Sequence, residues 1–161
     1  MTTSNDALFE FAIRDAFAPL GARAGLELRA VCDGVYEFER SGYAVRVRRG
    51  VGHKKDILVT LLPATGQPAT TDISPGEIGL GLIAILCGEA VPRFEMESRE
   101  DYLNSARLLA AAAERLALPY LTGERSDFAT LRARVDESIA ARRCGQPEYP
   151  RAGFWTRPPG K

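Results

Sequence analysis

The spacing of apolar residues changes twice along the chain. Phe9, Ile13, Ala16, Phe17 and Leu20 recur mostly every three or four positions, which predicts an amphipathic helix over about residues 6–18, capped by Ser4, Asn5 or Asp6 and stopped by Pro19 and Gly21. From Gly25 the period drops to two. GLELRAVC places Leu26, Leu28 and Ala30 on one face of a strand, and Asp33-Gly34 is a strong hairpin signal leading into VYEFER. There Val35 and Phe38 fall on opposite faces, which predicts a bulge or a start at Tyr36. Ser41-Gly42 turns the chain into YAVRVR, with Tyr43, Val45 and Val47 inward, and ILVTLL sends Ile57, Val59 and Leu61 the same way.

The helical period returns afterwards. SPGE at 74–77 has the order of a capping box, with Ser74 as N-cap, Pro75 at the first helical position and Glu77 at the third, so a helix is expected from there to Gly88. VPRFEMES can supply one further short strand. Ser98 and Asp101 repeat the capping pattern and open a helix over about 99–118, with Tyr102, Ala106, Leu109, Ala113 and Leu116 on one face and Pro119 as its end. A last helix turns Phe128, Leu131, Val135 and Ile139 inward and Arg132, Arg134, Arg142 and Arg143 to water. Prolines and glycines exclude regular structure from residues 144–161. The expected class is α+β: an N-terminal helix, an antiparallel four- to five-strand meander, then three helices packed on one face. Residues 1–143 are read as a single domain and 144–161 as an extended Pro/Gly-rich tail.

Charge then narrows the function classes. Lys+Arg and Asp+Glu are 21 each, which argues against a surface built throughout for phosphates or anionic lipid. The basic residues are clustered: 41–62 and 142–161 each hold five against one acidic residue, a net +4. Arg46 and Arg48 alternate with inward valines, so they are expected on the solvated face of a half-exposed sheet. Arg49, His53, Lys54 and Lys55 sit in or beside the following loop. The alternatives for this stretch are a solvated hairpin, a surface for an acidic protein, and a nucleic-acid contact. Tyr43 is its only neighbouring aromatic, which leaves no stacking platform for single strands.

Reaction chemistry finds little to build on. His53 is the only histidine, so a nucleophile–base pair is poorly supported, and Cys32, Cys87 and Cys144 are too far apart for a metal site and are expected as small buried or incidental thiols. GEIGLGL lacks the lysine and Ser/Thr of a phosphate loop. Glu95, Glu97, Glu100 and Asp101 could form a catalytic or cation-binding carboxylate group, but a strand face and a helix first turn account for them. No catalytic residue, metal or cofactor is therefore assigned. The start of the chain lacks the basic residues of a signal peptide and its most apolar run is too short to span a bilayer, so a cytoplasmic protein without membrane contact is expected. Phe154 and Trp155, between Arg151 and Arg157, combine the residue types of interface hot spots. They could dock on the protein itself or be presented to a partner.

VYEFERSGYAVRVRRG with ILVTLL, SPGEIGLGLIAIL, and YLTGERSDFATLRARV together resemble the layout of a group of small uncharacterised bacterial α+β proteins, over about residues 8–140. Some of these are presumed to be immunity proteins beside toxins. The resemblance carries no catalytic residues. It implies a non-enzymatic interaction protein, toxin-neutralising or a regulatory adaptor, whose partner is another protein, such as a toxin encoded nearby. Arg49, His53, Lys54 and Lys55, Glu95 and Glu97, and Phe154 and Trp155 are the candidate contacts. The alternatives are a nucleic-acid-associated protein using residues 46–55 and, more weakly, an enzyme using the carboxylates near 95–101.

Overall fold

The computed structural model describes residues 4–40, 42–49, 57–64, 76–90, 98–125 and 127–143. Helix α1 (Ser4–Arg23) leads into a five-stranded antiparallel sheet of β1 (Arg29–Cys32), β2 (Val35–Arg40), β3 (Tyr43–Arg49), β4 (Ile57–Pro63) and β5 (Ile78–Gly79), arranged in chain order. Four helices follow: α2 (Leu80–Leu86), α3 (Arg99–Leu116), the short α4 (Leu118–Leu121) and α5 (Phe128–Arg143). The α+β class and the meander are as the sequence predicts. The four-residue α4, which carries Pro119 in its first turn, is an addition.

Strand register explains the first apolar layer. Val45 lies opposite Phe38 and Leu61, and Val47 opposite Tyr36 and Val59, so one face of the sheet is continuous apolar surface. Helix α1 covers it: Phe9 packs 6.2 Å from Tyr36 and Phe17 6.5 Å from Phe38, between ring centroids. The Phe128 ring of α5 lies 5.1 Å from that of Tyr43. Tyr102, Ala106, Leu109, Ala113 and Leu116 of α3, with Leu131 and Val135 of α5, join the same buried cluster.

Helix α1 does not stop where expected. It passes through Pro19 and Gly21 and closes as a Schellman turn, with Gly25 at φ +68°, Leu26 N–H on Gly21 O at 2.7 Å and Gly25 N–H on Ala22 O at 3.1 Å. Gly21 serves packing. A Cβ there would collide with the Phe38 ring and sit 2.9 Å from Leu26 O, so its lack of a side chain lets the helix lie directly on β2.

One further expectation fails at a helix start. Helix α2 begins at Leu80 with Gly79 as an N-cap that makes no side-chain cap, so Glu77 precedes the helix; Ser74 and Pro75 lie outside the described residues, as does most of the expected strand in VPRFEMES. By contrast α3 carries the full capping box: Ser98 Oγ accepts from Asp101 N–H at 3.1 Å, and Asp101 Oδ2 accepts from Ser98 N–H at 3.2 Å.

Candidate functional site

The second face of the sheet is where the structure departs furthest from the sequence. Register sets Arg29, Glu37, Arg46, Thr60 and Gly79 directly opposite one another, one per strand, in a row crossing the sheet from β1 to β5. Arg46 and Arg48 were expected to face water. Instead their side chains are 5% and 2% exposed, beside buried Val35, Ala44, Thr60 and Leu62. Arg46 Nε donates to Glu37 Oε1 at 2.6 Å, and its Nη1 to Glu77 Oε1 at 2.6 Å; Arg48 Nη2 donates to Glu77 Oε2 at 3.1 Å. Glu77, its side chain 1% exposed, therefore sits in a clamp of two guanidinium groups.

The cause of this burial is that β3 is covered on both faces, as is β2 at Val35, whereas alternation alone implies a half-exposed sheet. A sequence signal was present in the opposed apolar pair Val35 and Phe38. Both are buried, on opposite faces of a regular β2, and the register shift lies in β1 between Ala30 and Cys32. Charges out of water persist only when paired with good geometry, since desolvation costs several kcal/mol per ion. Glu77, read from sequence as a capping residue, supplies that pairing from thirty-one positions along the chain.

At the other end of the row the environment reverses. All four residues of β1 are exposed, the Arg29 side chain is 76% exposed, and its ion pair to Glu27 is a loose 3.5 Å contact. Among the described residues β1 has a strand neighbour on one side only. A cleft of about 560 Å³ opens over the β1–β2 pair, lined by Glu27, Arg29, Ala30, Val31, Glu37, Glu39 and Arg40. Val31, 43% exposed, is one of three large apolar side chains left in water among the described residues, with Phe11 and Leu108; Phe11 has the Arg99 guanidinium 5.7 Å from its ring centroid. Neither Glu39 nor Arg40 has an ion pair among the described residues. Alternation predicts Ala30 inward, yet it is exposed with the rest of β1.

Of the residues proposed from sequence as partner contacts, Arg49 is exposed at the end of β3 and pairs with Asp6 of α1, holding the start of the helix to the sheet. His53, Lys54, Lys55, Glu95, Glu97, Phe154 and Trp155 lie outside the described residues. Asp101 is engaged in the α3 cap. Cys32 and Cys87 are exposed free thiols, the incidental alternative of the two expected for them. At Cys87, the C-cap of α2, the Arg125 guanidinium donates hydrogen bonds to Tyr120 and then to Cys87, and these raise its pKa. Burial, followed by the nearby Glu10 carboxylate, raises the Tyr36 phenol. Among the described residues no helix is long and apolar enough to cross a membrane.

The arrangement thus offers a buried ionic cluster inside the sheet and an open, mixed-charge edge outside it. The first can hold strands and β5 together; the second can accept main-chain hydrogen bonds from another extended segment. Comparison with known protein families, with curated proteins and with solved structures finds no match to this chain.

Proposed function

We propose that this is a non-enzymatic interaction protein that binds another protein, as an immunity protein neutralising a toxin encoded nearby or as a regulatory adaptor. The observation that carries the reading is the β1 edge, with four consecutive exposed residues, an exposed valine and a cleft over the β1–β2 pair. Such an edge takes a strand from a partner: main-chain bonds supply affinity and the cleft reads alternate side chains. The ionic cluster supports the same view. Arg46 and Arg48, central to the nucleic-acid alternative, are engaged by Glu37 and Glu77 and stand away from solvent. The resemblance to presumed immunity proteins points in the same direction.

The test is co-expression with the product of the neighbouring gene. Rescue from a toxic neighbour, with a stable complex recovered and then lost in Val31→Lys, is the expected result. A neighbour that is neither toxic nor retained, together with turnover abolished by Glu95→Gln or Glu97→Gln, would overturn the reading in favour of an enzyme.

A further inference from the structure

The cleft over the β1–β2 pair has an acidic end. Antiparallel pairing of Arg29 with Glu37 brings Glu27, two residues earlier, and Glu39, two later, to the same end, and both line the cleft. Glu39 is exposed and has no ion pair among the described residues, and Glu27 has only its loose, exposed contact with Arg29. Ala30 and Val31 supply exposed apolar surface further along.

The chain carries a complement to this surface. Beyond Arg143, where α5 ends, prolines at 147, 150, 158 and 159 leave 151–157, RAGFWTR, as the one run longer than three residues that keeps all its N–H donors for a neighbouring strand. It holds two arginines, Phe154, the chain's only tryptophan and no carboxylate. In extended form Arg151, Trp155 and Arg157 share one face, so the ring has a guanidinium on either side. We propose that RAGFWTR occupies the β1 edge and cleft of its own chain, with Trp155 over Ala30 and Val31 and a flanking arginine on Glu27 and Glu39, until a target displaces it. The inference rests on the reading of that edge as the contact surface and gives the edge a resident competitor.

Reach and charge favour this occupant. Helix α5 starts close to the acidic end: the Phe128 ring lies beside that of Tyr43, which pairs with Arg40 of the cleft. Its 16 residues carry the chain roughly 24 Å from there at 1.5 Å per residue. From Arg143 to Trp155 an extended chain covers up to about 40 Å, enough to return along α5 and round the β2–β3 turn. The other exposed apolar side chains, Phe11 and Leu108, suit the segment less well. The Arg99 guanidinium already stands over the Phe11 ring, and it repels an incoming arginine.

Because Trp155 is the only tryptophan, its fluorescence in the full chain reports on this segment alone. The parent should emit to the blue of a free RAGFWTR peptide and be shielded from acrylamide, to the same degree at every protein concentration. Glu27→Lys with Glu39→Lys should shift emission to the red and abolish the shielding, with far-UV circular dichroism verifying the fold. Arg151→Glu with Arg157→Glu, which leaves α1 to α5 and the sheet untouched, should do the same. Combining all four substitutions should restore shielding, since opposite charges meet again. The Arg151→Glu, Arg157→Glu chain should also capture the neighbouring gene's product more tightly than the parent, because its edge no longer has to be vacated. A parent Trp155 as open to acrylamide as the peptide would overturn the proposal. So would shielding that grows with protein concentration, or that is lost in Phe11→Lys or Leu108→Lys but kept in the cleft variants. An unshielded Trp155 with capture still lost in Val31→Lys overturns the docked tail and leaves the proposed function standing. Shielding released by the cleft variants, with capture insensitive to Val31→Lys, supports the docked tail and overturns the edge as a target-binding surface.

Discussion

Arg29 and Arg46 occupy one cross-strand row, each beside Glu37, yet one side chain is 76% exposed and the other 5%. The residue type, the alternation and the neighbouring carboxylate are shared. What differs is the number of strands on either side and whether the face above is closed. At β3 a guanidinium must have its acceptors inside the protein; at β1 water serves. The comparison teaches that charge at an alternating strand position reports the pleat, and that the fate of that charge is set by sheet position.

The sharpest way to break this contrast is at the clamp. Glu77→Gln keeps the shape but removes the negative charge shared by Arg46 and Arg48, and should cost about 3 kcal/mol or more, the range for breaking a buried ion pair. Urea denaturation measures it, and a midpoint unchanged from the parent would place these arginines in water after all. Gly21→Ala probes the opposite face. Overpacking against Phe38 and Leu26 O should cost about 1–3 kcal/mol and outweigh the roughly 1 kcal/mol that alanine gains as a helix former; a more stable variant would show that α1 can lift off β2.

Smaller effects should come from the periphery. Ser98→Ala removes the α3 cap at about 1 kcal/mol, with thermal unfolding as the measure. Arg29→Gln should change the stability of the monomer by less than about 0.5 kcal/mol, as for ordinary surface substitutions, whereas a loss as large as that of Glu77→Gln would erase the distinction between edge and interior. Smallest is an alkaline effect at Tyr36. Its raised phenol pKa means that the folded chain keeps its proton while the unfolded chain loses it, so the contribution is full below about pH 10 and falls as pH rises through the folded-state value. Tyr36→Phe should flatten that part of the stability–pH curve.

Local elements were legible because local physics determines them. The stripe from Phe9 to Leu20, the Asp33-Gly34 turn, the inward valines of β3 and the Ser98–Asp101 box each act over a few residues, and each is in place. The errors arose where a distant contact overrode the local signal. Gly21 reads as a helix stop until β2 lies against it. Ser74 to Glu77 reads as a cap until the carboxylate is needed elsewhere. Arg46 and Arg48 read as solvated because alternation says nothing of what closes the second face. Of the candidate contacts only Arg49 lies among the described residues, and its pairing with Asp6 is a contact between distant segments that spacing does not reveal. The open edge was missed because strand order is a property of the whole sheet.

The clamp also has a consequence in time. During synthesis β1 to β4 emerge before Glu77, so Arg46 and Arg48 reach the meander with Glu37 but without the carboxylate that joins them. A chain ending near Pro63 would hold two guanidinium groups with nowhere dry to go, and the second face should close only once β5 docks. That ordering puts the clamp late on the folding path. Glu77→Gln should then speed unfolding while leaving the refolding rate nearly unchanged, and a stopped-flow chevron in which the refolding arm carries the loss would place the clamp in the nucleus instead.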